Sequence, residues 1–469
     1  MIRRLVVVAL MAPLAAYARE LPAPVREALA RAGVPVTAVG AIVQPVEGGA
    51  APLVSHNADK PLNPASVMKL ITTYAGLDLL GPAFTFTTDV LVEGELANGV
   101  LAGNLVLKGG GDPKLTYERL WQLAHALRAR GLREVRGDVV LDRSYFAPAS
   151  HDSGKFDGEV RRAYNVGPDA LLINFKAIEF RFVPGEEGVR IVAEPDLPNV
   201  QVASRVRIAK EACGWWRHGL TYDIAENGLL ATVAFSGTYP SGCGEESWPL
   251  AVLDSDRYAE AMLRWVGSEA GLALHGRVRP GRAGPGAQRF LRNESDPLAT
   301  LVRDINKFSN NVMARQLFLV LSAETGSAGE VKASERRVRE WLVTKGIDAP
   351  ELAIENGAGL SRADRASAAT LAAVLRSAWS SPVMPELVAS LPVFAVDGTL
   401  KTRGGRGATG QAHLKGGTLT GVQSMAGYVL DAAGKRWVVA MLVNHENANR
   451  AQPALDALVE WVHRPTGKR

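Results

Sequence analysis

Ser66 and Lys69 stand three residues apart in the only Ser-x-x-Lys segment of the 469-residue sequence. Pro64 and the apolar stripe that follows it predict that this segment opens a helix, which ends at Gly81. Residues three apart on a helix share one face, so the Lys69 amine can reach the Ser66 hydroxyl. Because a desolvated lysine can take the proton of a serine hydroxyl, the spacing indicates nucleophilic catalysis. A serine that only caps the helix is the structural alternative.

Two later segments carry further side chains suited to acyl transfer. A Ser-x-Asn segment places Ser309 and Asn311 between two predicted helices. A Lys-x-Gly segment places Lys415 and Gly417 directly before two nearly continuous apolar strands. Both therefore lie where secondary structure elements end, and both follow Ser66 in the chain.

Each of these patterns also occurs once earlier in the chain. Ser55-His56-Asn57 leaves a predicted strand ahead of Ser66, and Lys108-Gly109-Gly110 opens a glycine-rich turn. We interpret both as ordinary turn sequences. Order and context therefore favour the later copies.

In this order the three segments match the active-site set of penicillin-binding proteins and β-lactamases. The chain resembles the class C low-molecular-mass penicillin-binding proteins, the D-alanyl-D-alanine carboxypeptidase and endopeptidase family (peptidase family S13), over nearly all of its mature length. The long gap of 239 residues between Lys69 and Ser309 belongs to this resemblance. So do four shorter segments: Asn63-Pro64-Ala65, Gly109 to Pro113, Asp397 to Leu400 and Val443-Asn444-His445.

The resemblance implies a role for each polar residue of the three segments. Ser66 would be the nucleophile, Lys69 its base, Ser309 a proton relay to the leaving amine, Asn311 a partner of the substrate peptide, and Lys415 a positive charge near the terminal carboxylate. Gly417 and Thr418 would bind substrate, and the backbone N–H groups of Ser66 and Thr418 would form the oxyanion hole. Such donors contribute about 3–4 kcal/mol each to the transition state.

The activity implied is that of a serine-type D-Ala-D-Ala carboxypeptidase or endopeptidase. Its substrates would be peptidoglycan stem peptides, β-lactams would acylate it, and no cofactor would be needed. Gly416 departs from the family, which usually has threonine there. Two alternatives stay open: a weakly active peptidoglycan-binding homologue, and a serine β-lactamase or esterase. No metal-ligand spacing occurs, and the isolated His445 is interpreted as structural.

The elements that must position these residues come from both ends of the chain. Residues 19–86 and 295–469 predict an α/β core like that of penicillin-binding transpeptidases and serine β-lactamases. Residues 87–294 carry short β-like runs and are predicted to be a large, mainly β insertion. The apolar strands near the C-terminus should be covered by helices on both faces.

The first residues predict export. Two arginines precede an apolar run that ends in a small-x-small triplet at Ala18, which indicates a signal peptide over residues 1–18 and a periplasmic mature protein. The run is too short to span a membrane, and no second one follows. In the oxidising periplasm, Cys213 and Cys243 are expected to form a disulfide. A net charge of +5 without basic blocks argues against nucleic acid binding, and nothing indicates an oligomeric state.

Overall fold

A computed structural model describes residues 20–148, 151–228, 230–404 and 407–464. The predicted signal peptide lies outside these ranges. The described helices are α1 Ala23–Arg31, α2 Lys69–Leu80, α3 Tyr117–Ala129, α4 Ser255–Glu269, α5 Leu298–Lys307, α6 Asn311–Ala323, α7 Val331–Thr344, α8 Ala368–Trp379, α9 Met384–Ser390 and α10 Gln452–His463. None of them is long and apolar enough to cross a membrane.

The described strands fall into four sheets. They are β1 Val39–Pro45, β2 Val54–His56, β3 Thr87–Ala97, β4 Val100–Gly109, β5 Glu134–Val135, β6 Val139–Asp142, β7 Ile178–Gly185, β8 Gly188–Glu194, β9 Val200–Ala209, β10 Leu220–Asn227, β11 Leu230–Pro240, β12 Glu246–Leu250, β13 Ala273–Leu274, β14 Val278–Gly281, β15 Gln288–Glu294, β16 Ala412–Leu419, β17 Val422–Leu430 and β18 Arg436–Asn444.

Both ends of the chain build one five-stranded antiparallel sheet. Its order is β16-β17-β18-β1-β2, and the pairing of Val39 with Val443 joins the N-terminal strand to the C-terminal one. Strands β17 and β18 are buried along almost their whole length. An apolar strand is stable in this form only where helices cover both faces of the sheet.

Helices cover the two faces as the sequence predicts. On one face, Tyr74 of α2 and Leu375 of α8 pack with Tyr428 of β17. On the other face, Leu29 of α1 and Leu455 of α10 lie in a second apolar cluster with strand residues of the same sheet. The predicted α/β fold is therefore confirmed.

The middle of the chain is mainly β, as predicted. Strands β3–β6 and β13–β15 form a seven-stranded sheet, while β7, β8 and β12 form one three-stranded sheet and β9–β11 another. These sheets share their own hydrophobic cluster with α3 and α4. The predicted disulfide between Cys213 and Cys243 is confirmed in this region.

Two elements of the core open with a 3-10 turn. Residues Val36–Ala38 form one such turn directly before β1 begins at Val39. The helix expected around Ser66 also opens with a 3-10 turn, Ala65–Met68, before α2 begins at Lys69. A 3-10 turn has three residues per turn, so positions i and i+3 lie directly above one another.

Candidate active site

Ser66 lies in the 3-10 turn that leads into α2, directly after a strained residue. Ala65 has a φ of 47°, in the left-handed region that residues with a Cβ rarely adopt. The carbonyl oxygen of Ala65 faces Gly359, where an added Cβ would lie only 1.9 Å away. Gly359 itself has a φ of 75°. The backbone before Ser66 is therefore held in one conformation by a close approach that only glycine permits.

Side-chain amides fix the segment ahead of Ser66. Asn444 of β18 accepts a hydrogen bond from the Asn63 N–H at 2.7 Å and donates one to the Asn63 carbonyl at 3.0 Å. Asn63 in turn accepts from the Ala65 N–H at 2.9 Å. Ser424 of β17 donates to the Pro64 carbonyl at 2.6 Å. The central sheet thus positions the Ser66 turn directly.

Lys69 lies fully buried beneath Ser66. Its Nζ is 3.0 Å from the Ser66 Oγ and donates to the Asn311 Oδ1 at 2.6 Å and to the Ala358 carbonyl at 2.5 Å. Burial lowers the pKa of Lys69 well below its usual range, and the positive charges of Lys415 and Arg315 lower it further. A lysine in this environment holds its proton weakly.

Ser309 and Asn311 stand where α5 gives way to α6. Ser309 has a φ of 56°, so the chain turns sharply there, and Asn310 caps α6 by accepting from the Met313 N–H at 3.0 Å. Asn311 is the first residue of α6 and points its amide oxygen at Lys69. Unusual backbone at a helix junction is a common way of placing a reactive side chain.

Lys415 connects the edge strand β16 to this junction. Its Nζ donates to the Ser309 Oγ at 2.9 Å and to the Gly416 carbonyl at 2.8 Å. Complete burial lowers the pKa of Lys415 to about 7. The structure therefore holds two buried lysines of weakened basicity, each within hydrogen-bond distance of a serine hydroxyl.

Gly417 brings β16 against the Ser66 turn. A Cβ at position 417 would lie 2.8 Å from the Ser66 backbone nitrogen and 2.4 Å from the Ser424 Oγ, so only glycine fits. Thr418 is exposed on the opposite face of the strand, and its hydroxyl lies 3.1 Å from the Gln423 Oε1. All seven residues singled out in the sequence are thereby gathered where the Ser66 turn, the α5–α6 junction and β16 meet.

The earlier copies of the motifs lie elsewhere. His56 and Asn57 bond backbone carbonyls of Val36 and Val39 beside β2. Lys108 is exposed in β4 of the seven-stranded sheet. His445 accepts from the Asn447 N–H at 3.1 Å, a contact that shapes the chain after β18. In the four described ranges no group of three His, Cys, Asp or Glu side chains is arranged to hold a metal ion.

A cavity of about 510 Å³ beside the site has no counterpart in the sequence patterns. Phe156 on its wall also packs against a small apolar cluster that contains Ala65, the residue before Ser66. The Arg362 guanidinium lies 5.1 Å from the centre of the Phe156 ring, and Lys155 pairs with Glu355 at 2.7 Å. The lining comes from segments some two hundred residues apart, so no local spacing could have revealed it.

Fold and site together define a serine peptidase of the penicillin-binding class. The family model of the D-Ala-D-Ala carboxypeptidase 3 (S13) family matches residues 21–464, and the chain belongs to this family.

Individual relatives cover most of the chain. A D-alanyl-D-alanine carboxypeptidase of Actinomadura sp. (strain R39) is 30% identical over 423 residues, 86% of this chain and 77% of the relative. The D-alanyl-D-alanine carboxypeptidase DacB of Haemophilus influenzae is 26% identical over 403 residues, 84% of this chain and 82% of the relative.

Penicillin-binding protein 4 of Haemophilus influenzae shares the fold. Its crystal structure superposes with a TM-score of 0.76 at 25% identity, covering 94% of this chain and 99% of that one. The same protein in complex with a β-lactam gives a TM-score of 0.74 at 23% identity, covering 95% and 100% of the two chains.

Proposed function

We propose that this protein is an exported serine-type D-alanyl-D-alanine carboxypeptidase that also acts as an endopeptidase, cleaving peptidoglycan stem peptides through an ester on Ser66. Family membership supports the activity, and the contacts of Lys69 support the residue assignment. Those contacts are the single observation on which the assignment rests, because they place the Lys69 amine 3.0 Å from the Ser66 hydroxyl.

The contacts of Lys69 match a neutral amine. A neutral lysine has two N–H donors and one lone pair, and Lys69 has two acceptors that cannot donate, the Asn311 amide oxygen and the Ala358 carbonyl. The remaining partner, Ser66, has a hydroxyl that can donate. A neutral Lys69 that donates to both of these acceptors would leave its lone pair for the Ser66 hydroxyl, as a general base requires.

Acylation follows from this arrangement. The Ser66 oxygen attacks the carbonyl of the penultimate D-alanine while its proton passes to Lys69, and the oxyanion is held by the N–H groups of Ser66 and Thr418. The leaving amine takes its proton from Ser309, which takes one in turn from the Lys415 ammonium that donates to it. Water then hydrolyses the ester on Ser66. The leaving group decides the name of the reaction: D-alanine makes it a carboxypeptidase, and the side-chain amine of a neighbouring stem peptide makes it an endopeptidase.

The surroundings of the site suit this substrate. The cavity beside Ala65 offers room for the peptide that precedes the scissile bond. Cleavage of the signal peptide near Ala18 would release the mature protein into the periplasm, where peptidoglycan lies. β-Lactams present a reactive carbonyl and a carboxylate in a similar arrangement and would acylate the same serine.

The test is to locate the ester. Labelled benzylpenicillin is incubated with the mature protein, and mass spectrometry of the digested adduct should find the label on Ser66. Ser66→Ala should lose the label completely, whereas Ser55→Ala, in the other Ser-x-Asn segment, should keep it. Label on another serine would overturn the residue assignment.

Two other outcomes of the labelling experiment would favour the alternative functions. Absence of label on a folded protein would favour the weakly active peptidoglycan-binding homologue. Loss of the label within seconds would favour a β-lactamase, because that enzyme must deacylate rapidly. Analysis of products from purified muropeptides then separates release of D-alanine from cleavage of cross-links.

A further inference from the structure

The absent side chain at Gly416 leaves space on one face of β16. Side chains alternate along a strand, so Lys415 and Gly417 face Ser66 while Gly416 and Thr418 face away. A Cβ at position 416 would lie 3.5 Å from the Leu400 Cδ2 and 4.0 Å from an Arg403 Nη2. A guanidinium therefore stands beside the position where the family usually has a threonine.

The Arg403 guanidinium is fixed by one ion pair, and its other N–H groups remain available as donors. Its Nη1 donates to the Asp456 Oδ1 of α10 at 3.0 Å, and both side chains are largely buried. No other hydrogen bond of this guanidinium occurs in the part of the chain that the structure describes. The Arg403 side chain keeps 7% of its surface exposed to solvent. The ion pair with Asp456 therefore fixes the guanidinium in place, while its Nη2 remains available to a ligand.

Strand geometry brings a substrate carboxylate to this position. β16 is the edge strand of the sheet, and an extended peptide can lie along such an edge. With the scissile carbonyl at the Thr418 N–H, the terminal carboxylate lies one residue further, about 3.3 Å along the strand. Towards Lys415, that step ends beside Gly417, and the space left by Gly416, with Arg403 on its far side, comes next along the strand.

Arg403 has chemical advantages over its neighbours as a partner for this carboxylate. A guanidinium is always charged and matches a carboxylate with two parallel N–H donors. The pKa of Lys415 is about 7, so its charge is incomplete at neutral pH. The hydroxyl of Thr418 already has a partner in Gln423.

We infer that Arg403 is a substrate-binding residue that recognises the terminal carboxylate in the space left by Gly416. This inference rests on the proposed function, because it needs a substrate acylating Ser66. It assigns specificity for a free C-terminal carboxylate to a residue outside the three motifs.

The experiment compares substrates with and without the carboxylate. For wild type and Arg403→Gln, kcat/KM is measured on a peptide ending in D-Ala-D-Ala and on the same peptide with a C-terminal amide. Acylation by benzylpenicillin and by its methyl ester gives a second pair. We expect Arg403→Gln to lower the rate on the free acid by about ten- to a hundredfold and to leave the amide and the ester within about twofold.

Matched variants distinguish a loss of carboxylate recognition from a general loss of positive charge and from misfolding. Lys401→Gln removes an exposed charge two residues away and should leave the acid-to-amide ratio unchanged. Arg403→Gln combined with Asp456→Asn avoids a buried unpaired carboxylate. This double variant should lower the acid-to-amide ratio of kcat/KM by the same factor as Arg403→Gln alone. Because the ratio is taken within one preparation, a reduced folded fraction cancels. Gly416→Thr should restore part of the ratio in Arg403→Gln.

The outcomes distinguish a wrong assignment of Arg403 from a wrong proposed function. If wild type reacts but Arg403→Gln keeps the wild-type ratio, or if wild type shows no preference for the free acid, the inference is wrong and the proposed function stands. If wild type fails to react with benzylpenicillin at all, the proposed function itself is wrong.

Discussion

Two buried lysines lie in the candidate site, and the burial of each has a cost in stability. Lys415 is fully buried, and burial lowers its pKa to about 7, against about 10.4 in an unfolded chain. Between these values the unfolded chain binds a proton that the folded chain does not. Linkage then makes the free energy of unfolding rise with pH over this window, by at most about 1.4 kcal/mol per pH unit. Below about pH 7 both states carry the proton, and the full penalty applies.

Lys415→Met should therefore remove a pH-dependent cost. We expect the variant to be stabilised relative to wild type at pH 6 to 7, and this advantage to shrink as the pH rises to 9. Urea unfolding of both proteins across this range measures the difference. Lys108→Met, at the exposed lysine of the other Lys-Gly-Gly segment, is the control and should show no such trend. A constant difference between Lys415→Met and wild type would contradict the assigned pKa direction.

Gly416 tests whether a hydroxyl is missing from the site. Its φ is not positive, and an added Cβ would make only ordinary contacts with Leu400 and Arg403. A full hydrogen bond to a carboxylate contributes about 1.5–3 kcal/mol. In the Arg403→Gln variant, which lacks the guanidinium, Gly416→Thr should therefore raise kcat/KM on a D-Ala-D-Ala peptide by about ten- to a hundredfold. An unchanged or lower value in a folded variant would show that the site does not lack this group.

At the scale of elements, the turn that carries Ser66 is sensitive to backbone changes. Gly359 approaches the Ala65 carbonyl so closely that any Cβ would displace it. Gly359→Ala should slow acylation of Ser66 by benzylpenicillin at least tenfold, because a small displacement of a nucleophile has a large effect on rate.

Gly48→Ala is the matched control for this prediction. Gly48 has a φ of 77°, close to the 75° of Gly359, but nothing lies within 4 Å of an added Cβ. Both variants carry the strain of a positive φ, about 1 kcal/mol, while only Gly359→Ala moves the site. Equal acylation rates in the two folded variants would show that the Ser66 turn is not held by this contact.

Across the whole molecule, the insertion has its own hydrophobic cluster and its own covalent link. The disulfide between Cys213 and Cys243 closes a loop with a sequence separation of 30 residues. In the chain-entropy model such a link contributes about 3.7 kcal/mol. Changing both cysteines to serine should destabilise the insertion by about this amount in urea unfolding.

The same double variant should keep normal acylation of Ser66 at 25 °C. The central sheet and helices that hold Ser66, Ser309 and Lys415 pack in clusters separate from the one beside the disulfide. The control is wild type treated with a reductant, which should behave like the variant. Loss of acylation with the disulfide would mean that the insertion supports the site mechanically.

The sequence by itself predicted the candidate site and determined the broad architecture. Residues three apart on a helix lie on the same face. The sequence alone could therefore pair Ser66 with Lys69. The apolar strands near the C-terminus predicted that helices cover both faces of the sheet. The presence of only two cysteines in a protein predicted to be exported indicated the disulfide between them. Chain order and the family resemblance then favoured Ser309 and Lys415 over the earlier copies of their motifs.

Only the tertiary structure decided how these segments meet. The strain at Ala65 depends on Gly359, and the carboxylate contact assigned to Arg403 depends on the space beside Gly416. The cavity at Phe156 is built from segments that are remote in sequence. Such features arise from contacts between distant residues, which have no periodicity along the chain. They appear only once the hydrophobic clusters have fixed the elements in space, because packing sets which backbones and charges become neighbours.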